Sequence, residues 1–509
     1  MDENTKLRFK NILSKPRSLI VIAAILFLPL LFIGTHTSHD WGDDFAQYIH
    51  QAGNTVHNIP QSQTGYIYNT LNPRIGPKAY PMGFPLMLAP VYAIAGNKIE
   101  AFITLISLLY IVLGILMVVF YRNYFSWITA LVLAVIFLYN PQVVLFKREV
   151  MSDIPFSALL VLSFILHQKL KPGNLKQLIV LASVSGFMLA VRPAGIVFIA
   201  AVVVEQIDSL IRHKIKATEF ATRGGILILI PFLIYYMINL YIFKIPSGGS
   251  IRDYLLFYDP VNLIKTIPEN LAHYIEVLRY LYVPQAGIFN GLSSLLGSLM
   301  VTMMLLGFIK RMMQGPQVID WCFIFYGIML LGYNYNNSGS RFLVPLGFIF
   351  LFYAVTGLKT VQLLPQVPAW KKAISSGILI MLLFMPGLIS IIRLGGNTLE
   401  GPQQKSAIEA FSYISKNVPA DAVVVFAKPR ALALYAGCQS LADPATTDPT
   451  LLHVQITKAN ASYLLIYSKL TSESMIRYSQ VMQNRLTKQW ANNEFVLYHI
   501  NPVIPSAHR

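Results

Sequence analysis

The sequence has few charged residues and few cysteines for its length. Of its 509 residues, 12% are charged and 55% are hydrophobic, whereas a soluble domain has about 25% charged residues. A soluble protein of this composition would expose large apolar patches and aggregate. The 2 cysteines, Cys322 and Cys438, are far apart and give neither a metal-binding spacing nor a convincing disulfide, so packing roles are favoured. The composition excludes a soluble enzyme and indicates a polytopic membrane protein.

The chain also lacks the short motifs of several large enzyme classes. It contains no G-x-G-x-x-G, no P-loop, no nucleophile elbow and no repeat of fixed period. No His or Cys pattern indicates a metal, so no cofactor is assigned and a divalent cation is left open. The net charge of +17 is typical of nucleic-acid binding. Since the basic residues lie between apolar segments and not on one polar domain, nucleic acid is not expected as a partner.

Long apolar runs are abundant, and a helix needs about 20 apolar residues to cross a bilayer. We predict eleven membrane spans, near residues 18–35, 99–121, 125–140, 153–169, 175–190, 193–208, 223–243, 289–309, 319–334, 341–357 and 373–393. The apolar segment Met82–Gly96 is shorter and contains Pro85 and Pro90. An interfacial or re-entrant helix is therefore expected there.

The distribution of Lys and Arg predicts the orientation of these spans. If the N-terminus is cytoplasmic, the basic residues gather in the short inside segments, as the positive-inside rule requires. No A-x-A cleavage site follows the first run, which indicates an uncleaved anchor. The odd number of spans then places the C-terminal tail outside the cytoplasm.

Two domains are expected from the change in composition along the chain. Residues 1–393 form the predicted transmembrane domain, with outer loops at 35–80 and 244–290. Residues 394–509 become polar and alternate between helix-like and strand-like patterns, which favours a small α/β domain. The elements predicted in it are helices at Gln404–Lys416 and Ser472–Leu486, and strands at Ala422–Phe426, Ser462–Ser468 and Glu494–Ile500.

Two acidic residues, Asp43 and Asp44, follow the first span at its predicted outer end. One interpretation is a helix N-cap, where a carboxylate accepts hydrogen bonds from free N–H groups. The other is a general base, or a ligand for a cation, because a carboxylate within hydrogen-bond reach can take a proton from a hydroxyl. The sequence leaves both interpretations open.

A second group of charges, the segment from Lys147 to Asp153, lies in the next outer loop, on the side that the positive-inside rule leaves poor in cations. If this segment is helical, Glu149 and Asp153 share one face. Self-pairing of Lys147 with Glu149, and an N-cap role for Asp153 before Pro155, would explain it structurally. A functional role is the alternative, because charges at this depth are costly.

Two arginines, Arg192 and Arg341, also lie at predicted outer ends of spans. Arginine stays protonated and binds phosphate through two parallel hydrogen bonds. Snorkelling of both side chains towards lipid head groups is the alternative. Together with the carboxylates, these arginines would suit a phosphate ester whose lipid tail lies among the helices.

Four segments resemble motifs of the membrane glycosyltransferases of the GT-C fold, a group that includes protein O-mannosyltransferases and the aminoarabinose transferase of lipid A. They are GDDFAQYIHQA (Gly42–Ala52), YPMGFPLMLAPVYAIAG (Tyr80–Gly96), REVMSDIPF (Arg148–Phe156) and SRFLVPL (Ser340–Leu346). The resemblance covers about residues 17–360. It implies a multi-pass protein of the bacterial plasma (inner) membrane that transfers a sugar from a polyprenyl-phosphate donor to a lipid, glycan or protein acceptor outside the cytoplasm.

The resemblance also implies roles for individual residues. Asp43 matches the catalytic aspartate of the first loop, and Asp44 takes the neighbouring acidic position, with the choice of base left open. Asp153 would hold a cation or orient the substrate. The other residues with an implied substrate-binding role are Tyr48, Lys147, Arg148, Glu149, Arg192 and Arg341. The reaction of this family is generally a single inverting displacement and needs no covalent nucleophile.

Other interpretations of the chain are considered beside this one. Transporters and flippases keep ionisable groups at mid-membrane and show inverted repeats, neither of which this sequence has. A membrane-anchored assembly protein with a functional outer tail is the other alternative. In that tail, Ala427–Arg430 follows a predicted strand and resembles a feature of tails in this family, although a solvated turn explains it equally well.

Overall fold

A computed structural model of the chain describes residues 16–33, 37–69, 72, 75–245, 263–282, 290–333, 339–361 and 399–501. The α-helices in these ranges are α1 (Pro16–Phe27), α2 (Asp44–Val56), α3 (Gly83–Ala95), α4 (Ile99–Tyr121), α5 (Trp127–Leu138), α6 (Pro141–Lys147), α7 (Asp153–Gln168), α8 (Leu175–Val191), α9 (Ile196–Ile211), α10 (Ala217–Tyr236), α11 (Leu263–Leu281), α12 (Asn290–Gln314), α13 (Val318–Gly332), α14 (Gly347–Val361), α15 (Lys405–Asn417), α16 (Pro429–Ala436), α17 (Pro449–Lys458) and α18 (Glu473–Val481). The strands are β1 (Tyr66–Ile67), β2 (Val423–Val425), β3 (Gln439–Leu441), β4 (Ala461–Tyr467), β5 (Leu486–Ala491) and β6 (Phe495–Ile500).

The chain divides into two compact units. The first, here called the helical unit, comprises Met1–Thr35, Phe102–Ile242 and Ile251–Asn397. The second, here called the mixed unit, comprises His36–Ala101, Phe243–Ser250 and Thr398–Arg509. The mixed unit thus contains most of the first predicted outer loop together with the tail, while the predicted domain boundary at residue 393 lies outside the described residues.

Most helices in the described part of the helical unit are apolar. Within the described residues, five helices are long and apolar enough to cross a membrane, and a sixth span results if α5 and α6, which bend by 69° at Asn140, are one span. Shorter apolar helices include α7, α8 and α13. The predicted α-helical membrane protein is confirmed, and the count of eleven spans stays a prediction. The last predicted span, at residues 373–393, lies outside the described residues.

Local sequence signals explain where several of these helices begin. The Ser126 hydroxyl accepts a hydrogen bond from the Thr129 amide and caps α5. The Asn140 side chain caps α6, whose first residue is Pro141. Proline suits the first position of a helix because its missing N–H would have had no partner there. The 69° bend between α5 and α6 therefore follows from an Asn-Pro pair in an apolar run.

The mixed unit is built on one six-stranded sheet with the order β1-β3-β2-β4-β6-β5. The strands β1, β3, β2 and β4 are parallel, and β6 pairs antiparallel with β4 and β5. The five elements predicted in the tail correspond to α15, β2, β4, α18 and β6. The sequence did not indicate that β1, from the first outer loop, would extend this sheet.

Trp41 from the first outer loop lies in the core of the mixed unit and is 7% exposed. Its ring packs against Phe426 and Tyr467, with centroid separations of 6.0 Å and 5.5 Å. Burying an aromatic ring of this size stabilises the fold by about 1.5–3 kcal/mol or more. This packing holds the chain immediately before Asp43 against the tail sheet.

Candidate functional site

Asp43 is the residue immediately before α2, and its carboxylate reaches another helix. It makes no side-chain bond to the N-terminus of α2. Instead, Oδ2 accepts a hydrogen bond from the Arg430 amide at 3.3 Å, and Oδ1 accepts one from the Ala431 amide at 3.1 Å. These amides belong to the first turn of α16, where N–H groups lack partners within the helix. Asp43 therefore caps α16 from a distant part of the sequence, which differs from the expected cap of its own helix.

Burial changes the acidity of Asp43. Removal from water raises the pKa of its carboxyl group to about 6, against the opposing charges of Arg430 and Lys428 and the two amide hydrogen bonds. A carboxylate with this pKa is ionised at neutral pH and still basic enough to accept a proton. Its chemistry therefore suits the predicted base.

Asp44, in the first turn of α2, has a different set of partners. Its Oδ1 accepts hydrogen bonds from the Tyr80 hydroxyl at 2.6 Å and from Arg430 Nη1 at 3.1 Å. Its side chain is 26% exposed, compared with 8% for Asp43. The two adjacent carboxylates are thus held by different groups, one by backbone amides and the other by a charged side chain.

Arg430 is the residue that connects the acidic pair with the tail, and it is only 1% exposed. Besides Asp44, its guanidinium donates hydrogen bonds to the Tyr80 hydroxyl at 2.9 Å and to the Pro77 carbonyl at 2.5 Å. It also lies over the Tyr66 ring, 4.8 Å from the centroid. The alternative of a solvated turn at Ala427–Arg430 is therefore wrong, because this arginine is buried in a cage of specific contacts.

Tyr48, predicted to bind substrate, lies on α2 one turn after Asp44 and is 4% exposed. Its ring stacks on Tyr80, with centroids 4.5 Å apart, and meets the edge of Phe84 at 4.8 Å. These contacts fix the ring that carries the Tyr80 hydroxyl, so Tyr48 supports the acidic pair. Substrate binding by Tyr48 stays a prediction.

The helical unit contains the other predicted site residues, centred on Asp153 at the start of α7. Asp153 is fully buried and lies between two arginines. Its Oδ1 accepts a hydrogen bond from Arg192 Nη1, and its Oδ2 accepts one from Arg341 Nε at 3.2 Å. Arg192 also lies over the Phe342 ring, 5.4 Å from the centroid. Asp153 is thus a shared counter-ion and does not act as an N-cap. Arg192 and Arg341 point to this carboxylate, which is not the snorkelling towards lipid head groups considered above.

Lys147 and Arg148, at the end of α6, are buried, and Arg148 has the charge of Glu149 beside it. Lys147 is 0% exposed, and its amino group contacts the Ser107 hydroxyl at 3.4 Å. Arg148 is 4% exposed, and its Nε has no hydrogen-bond partner in the described ranges. Glu149, next along the chain, is half-buried. Because α6 ends at Lys147 and α7 begins at Asp153, Glu149 and Asp153 do not share a helical face.

The described residues give no separate indication of a metal. No group of three or more His, Cys, Asp or Glu side chains that could hold an ion lies in the ranges that the structure describes. Both oxygens of Asp153 already contact arginines. A metal at Asp153 stays a prediction.

One family of known proteins matches part of the chain. The family described as dolichyl-phosphate-mannose-protein mannosyltransferase matches residues 79–238. This range includes Lys147, Asp153 and Arg192 but neither Asp43 nor Arg430. No curated protein shows a significant sequence match to the chain.

Two solved structures are similar over nearly the whole chain. The oligosaccharyltransferase AglB from Archaeoglobus fulgidus, in complex with an inhibitory peptide and a dolichol-phosphate, is 12% identical, with a TM-score of 0.60, covering 97% of this chain and 75% of its own. ArnT from Cupriavidus metallidurans, bound to undecaprenyl phosphate, is 11% identical, with a TM-score of 0.58, covering 94% of this chain and 97% of its own. At this identity the likeness shows a shared fold.

Proposed function

Because the chain has the GT-C fold of membrane glycosyltransferases, we propose that it transfers a sugar from a polyprenyl-phosphate donor to an acceptor hydroxyl. The acceptor is a lipid, a glycan or a protein on the outer face of a bacterial inner membrane. Two of the structural relatives were solved with a polyprenyl-type phosphate bound, a dolichol-phosphate in one and undecaprenyl phosphate in the other. The proposal extends that ligand class to this chain.

The observation that carries the proposal is a surplus of positive charge among the predicted site residues of the helical unit. The buried Lys147 and Arg148 and the partly buried Arg192 and Arg341 accompany two carboxylates, the fully buried Asp153 and the half-buried Glu149. A charge removed from water costs several kcal/mol unless an opposite charge compensates it. A phosphate group, which carries negative charge and accepts hydrogen bonds from Arg and Lys, is an anion suited to compensate this surplus.

The four cations are not equivalent in this role. Arg192 and Arg341 share Asp153 as a counter-ion, whereas Lys147 has a neutral hydroxyl as its partner. The C-terminus of a helix attracts a cation by about 0.3–1 kcal/mol, which is less than the cost of burying Lys147. We therefore assign the strongest phosphate contact to Lys147 and Arg148, with Arg192 and Arg341 oriented by Asp153 as a second pair.

The proposed reaction is one displacement at the sugar carbon that carries the phosphate. The acceptor oxygen forms a bond to that carbon as the carbon–oxygen bond to phosphate breaks, and the phosphate leaves with the electron pair. The acceptor proton passes to the Asp43 carboxylate, while fixed cations stabilise the charge that develops on phosphate. Attack opposite to the leaving group inverts the configuration of the sugar. Asp44, whose side chain is 26% exposed, is the alternative base.

The experiment separates binding of the donor from transfer. Full-length protein is purified in detergent, and its melting temperature is measured with undecaprenyl phosphate and with undecaprenol. The phosphate is expected to raise the melting temperature and the uncharged alcohol is not. Release of polyprenyl phosphate from a polyprenyl-phosphate sugar is expected for the wild type and not for the Asp43→Asn, Asp44→Asn double variant. Equal stabilisation by both lipids, or full turnover by the double variant, would refute the proposal.

A further inference from the structure

Arg430 places a positive charge in the protein interior, where its removal from water is unfavourable. Two adjacent carboxylates, Asp43 and Asp44, lie next to this charge. The side chain of Arg430 is fully buried. Its guanidinium donates compensating hydrogen bonds to Asp44, Tyr80 and Pro77. Burial by itself disfavours its charge, but Tyr80, Asp44 and Asp43 hold the pKa of the guanidinium above its usual value. The arginine is therefore a charged member of the acidic cluster under all ordinary conditions.

The fold around this arginine is shaped to enclose it. Gly76 has a φ of +98°, and a Cβ added there would lie 2.8 Å from Arg430 Nη2. The helix that carries the arginine begins with Pro429 and ends before Gly437, whose φ is +69°. These two residues confine α16 to one short helix. The position of the Arg430 guanidinium beside α2 is consequently fixed.

The arginine acts on the two carboxylates in different ways. Its Nη1 donates to Asp44 at 3.1 Å, whereas Nε lies 3.9 Å from Asp43 and has no hydrogen-bond partner in the described part of the chain. Asp43 is held by the backbone amides of Arg430 and Ala431. Arg430 thus neutralises Asp44 directly and binds Asp43 through its main chain.

Two ionised carboxylates on adjacent residues repel each other. A cation paired with one of them favours its ionised form, so that the other carboxylate is the one that takes up a proton as the pH falls. With Arg430 paired to Asp44, the cluster of Asp43, Asp44 and Arg430 has a net charge of −1 and one carboxylate without a side-chain hydrogen bond. The other groups around Asp43 are Lys428, which favours its ionised form, and Tyr66, whose pKa is raised to about 12 by burial. Tyr66 is therefore neutral at physiological pH, and the sign of the local field depends on Arg430 and Lys428.

The segment before Asp43 contributes one more pair. Asp40 lies 2.9 Å from His39 Nδ1. Although burial opposes ionisation of Asp40, the hydrogen bond and charge of His39 lower the pKa of this carboxyl. Asp40 is already ionised below the range in which Asp43 titrates.

We propose that Arg430 is a positioning residue of the acidic site. Its guanidinium neutralises Asp44, and its main-chain amide holds Asp43. The tail is therefore required to keep Asp43 as the single titrating base. This inference rests on the proposed function for its catalytic meaning. Its structural part, the control of Asp43 by Arg430, is testable without any substrate.

The test compares Arg430→Gln with Arg430→Lys in the full-length protein. Loss of the cation removes the positive charge that opposes protonation of Asp43, so the acidic limb of the pH–rate profile is expected to move to higher pH by about one unit or more. Arg430→Lys keeps the charge and is expected to keep the limb within a few tenths of a unit while lowering kcat, because an ammonium group does not reproduce the guanidinium contacts. Arg477→Gln, at an exposed position of the tail on α18, is the matched control and is expected to change neither quantity.

Two further measurements keep the outcome decisive. In the double variant Asp44→Asn, Arg430→Gln the charge of Asp44 is removed together with that of Arg430, and the acidic limb is expected to return towards its wild-type pH. Without substrate, the difference in melting temperature between each protein and its Asp43→Asn counterpart is followed against pH, which reports the ionisation of Asp43. In Arg430→Gln this transition is expected at a higher pH than in the wild type.

The outcomes distinguish the two proposals. If the wild type transfers no sugar but the substrate-free transition shifts in Arg430→Gln, the proposed function fails and the role of Arg430 stands. If the wild type is active and Arg430→Gln, folded as judged by gel filtration, keeps both the wild-type limb and the wild-type transition, the inference about Arg430 is wrong.

Discussion

Arg430 and Asp44 are 386 positions apart in the sequence, yet the Nη1 of Arg430 lies 3.1 Å from Oδ1 of Asp44. The contact ties the first loop after the N-terminal helix to a short helix of the tail. Because the side chain of Arg430 is fully buried, the ion pair is screened little by solvent. The acidic pair that the sequence singled out is therefore part of the folded structure of the tail.

The pH dependence of the reaction follows from the buried environment of Asp43. Its pKa of about 6 means that the carboxylate is protonated below that pH, and a protonated base accepts no proton. The rate is expected to be level above pH 6 and to fall about tenfold per unit below it. A kcat–pH profile checks this, with Asp40→Asn as the control that keeps the limb in place. A profile that is flat from pH 5 to 8 would contradict the assignment.

The same shift has a consequence for stability. The carboxyl pKa of Asp43 is about 6 in the folded protein, above its ordinary value of 3.8, so the folded state binds the proton more tightly than the unfolded state does. The contribution of Asp43 to stability therefore decreases as pH rises from about 4 to 6 and is constant above that range. Plots of melting temperature against pH are expected to have different slopes for the wild type and Asp43→Asn across this range. Parallel curves would show that Asp43 has an ordinary pKa.

Substitution of Gly76 tests the cage around Arg430. Gly76→Ala adds a Cβ 2.8 Å from Arg430 Nη2 at a φ of +98°, so it both strains the backbone and displaces the guanidinium. Gly437→Ala, at a φ of +69° with no atom within 4 Å of the added Cβ, carries the backbone strain of about 1–2 kcal/mol by itself.

The two glycine variants are compared by melting temperature and by kcat. Gly76→Ala is expected to be the more destabilised and to lose at least tenfold in kcat, whereas Gly437→Ala loses stability with kcat retained. Equal losses of kcat in the two variants would indicate that the position of the guanidinium is unimportant.

Removal of the shared counter-ion in the helical unit is expected to be costly. Asp153→Asn leaves Arg192 and Arg341 with 14% and 25% side-chain exposure and no carboxylate between them. Breaking a buried ion pair in this way costs about 3–5 kcal/mol, reduced here by the partial exposure of the arginines.

The matched control is the same substitution in an exposed pair. Asp208 and Arg212 form an i,i+4 pair at 2.8 Å with 31% and 51% side-chain exposure, and such pairs contribute about 0.3–0.5 kcal/mol. Thermal unfolding in detergent is expected to show a fall of several degrees for Asp153→Asn and almost none for Asp208→Asn. Equal melting temperatures would mean that Asp153 does not stabilise the two arginines.

Donor affinity should depend more on Lys147 and Arg148 than on surface cations. Because the partner of Lys147 is a neutral hydroxyl and Arg148 Nε has no hydrogen-bond partner among the described side chains, Lys147→Met or Arg148→Met is expected to weaken binding of undecaprenyl phosphate by about ten- to a hundredfold. The exposed Lys176→Met is the control and is expected to bind like the wild type. Titration with undecaprenyl phosphate in detergent measures the affinity. Unchanged affinity in both variants would show that the phosphate does not bind at the end of α6.

The sequence predicted the class of fold because long apolar runs and the bias of basic residues are local properties of a chain. It also predicted Asp43, Asp44 and Asp153 as notable, since carboxylates at the ends of apolar runs are expensive. Their partners were not predictable in the same way. The contacts of Asp44 with Arg430 and of Asp153 with Arg341 join residues hundreds of positions apart, and no local pattern encodes them.

Arg430 was anticipated only in part: the sequence singled out Ala427–Arg430 as resembling a feature of tails in this family, with a solvated turn as an equal alternative. A basic residue beside a proline in a polar tail is usually solvated, and nothing in its neighbours indicates burial. A further signal was available in Gly76 and Tyr80 of the first loop, a small and an aromatic residue that enclose the guanidinium in the fold. Gly76 and Tyr80 can be related to Arg430 only once it is known that β1 of the first loop pairs with β3 of the tail sheet.

The most direct test of the central claim is the turnover of Asp43→Asn with a polyprenyl-phosphate sugar at saturating concentration. Asparagine keeps one acceptor oxygen for the amides of α16 and loses the ability to take a proton. The account predicts a folded protein that binds undecaprenyl phosphate with wild-type affinity and whose kcat is lower by about two orders of magnitude or more. Wild-type kcat in Asp43→Asn would contradict the account, because the buried carboxylate at α16 would then have no part in the chemistry.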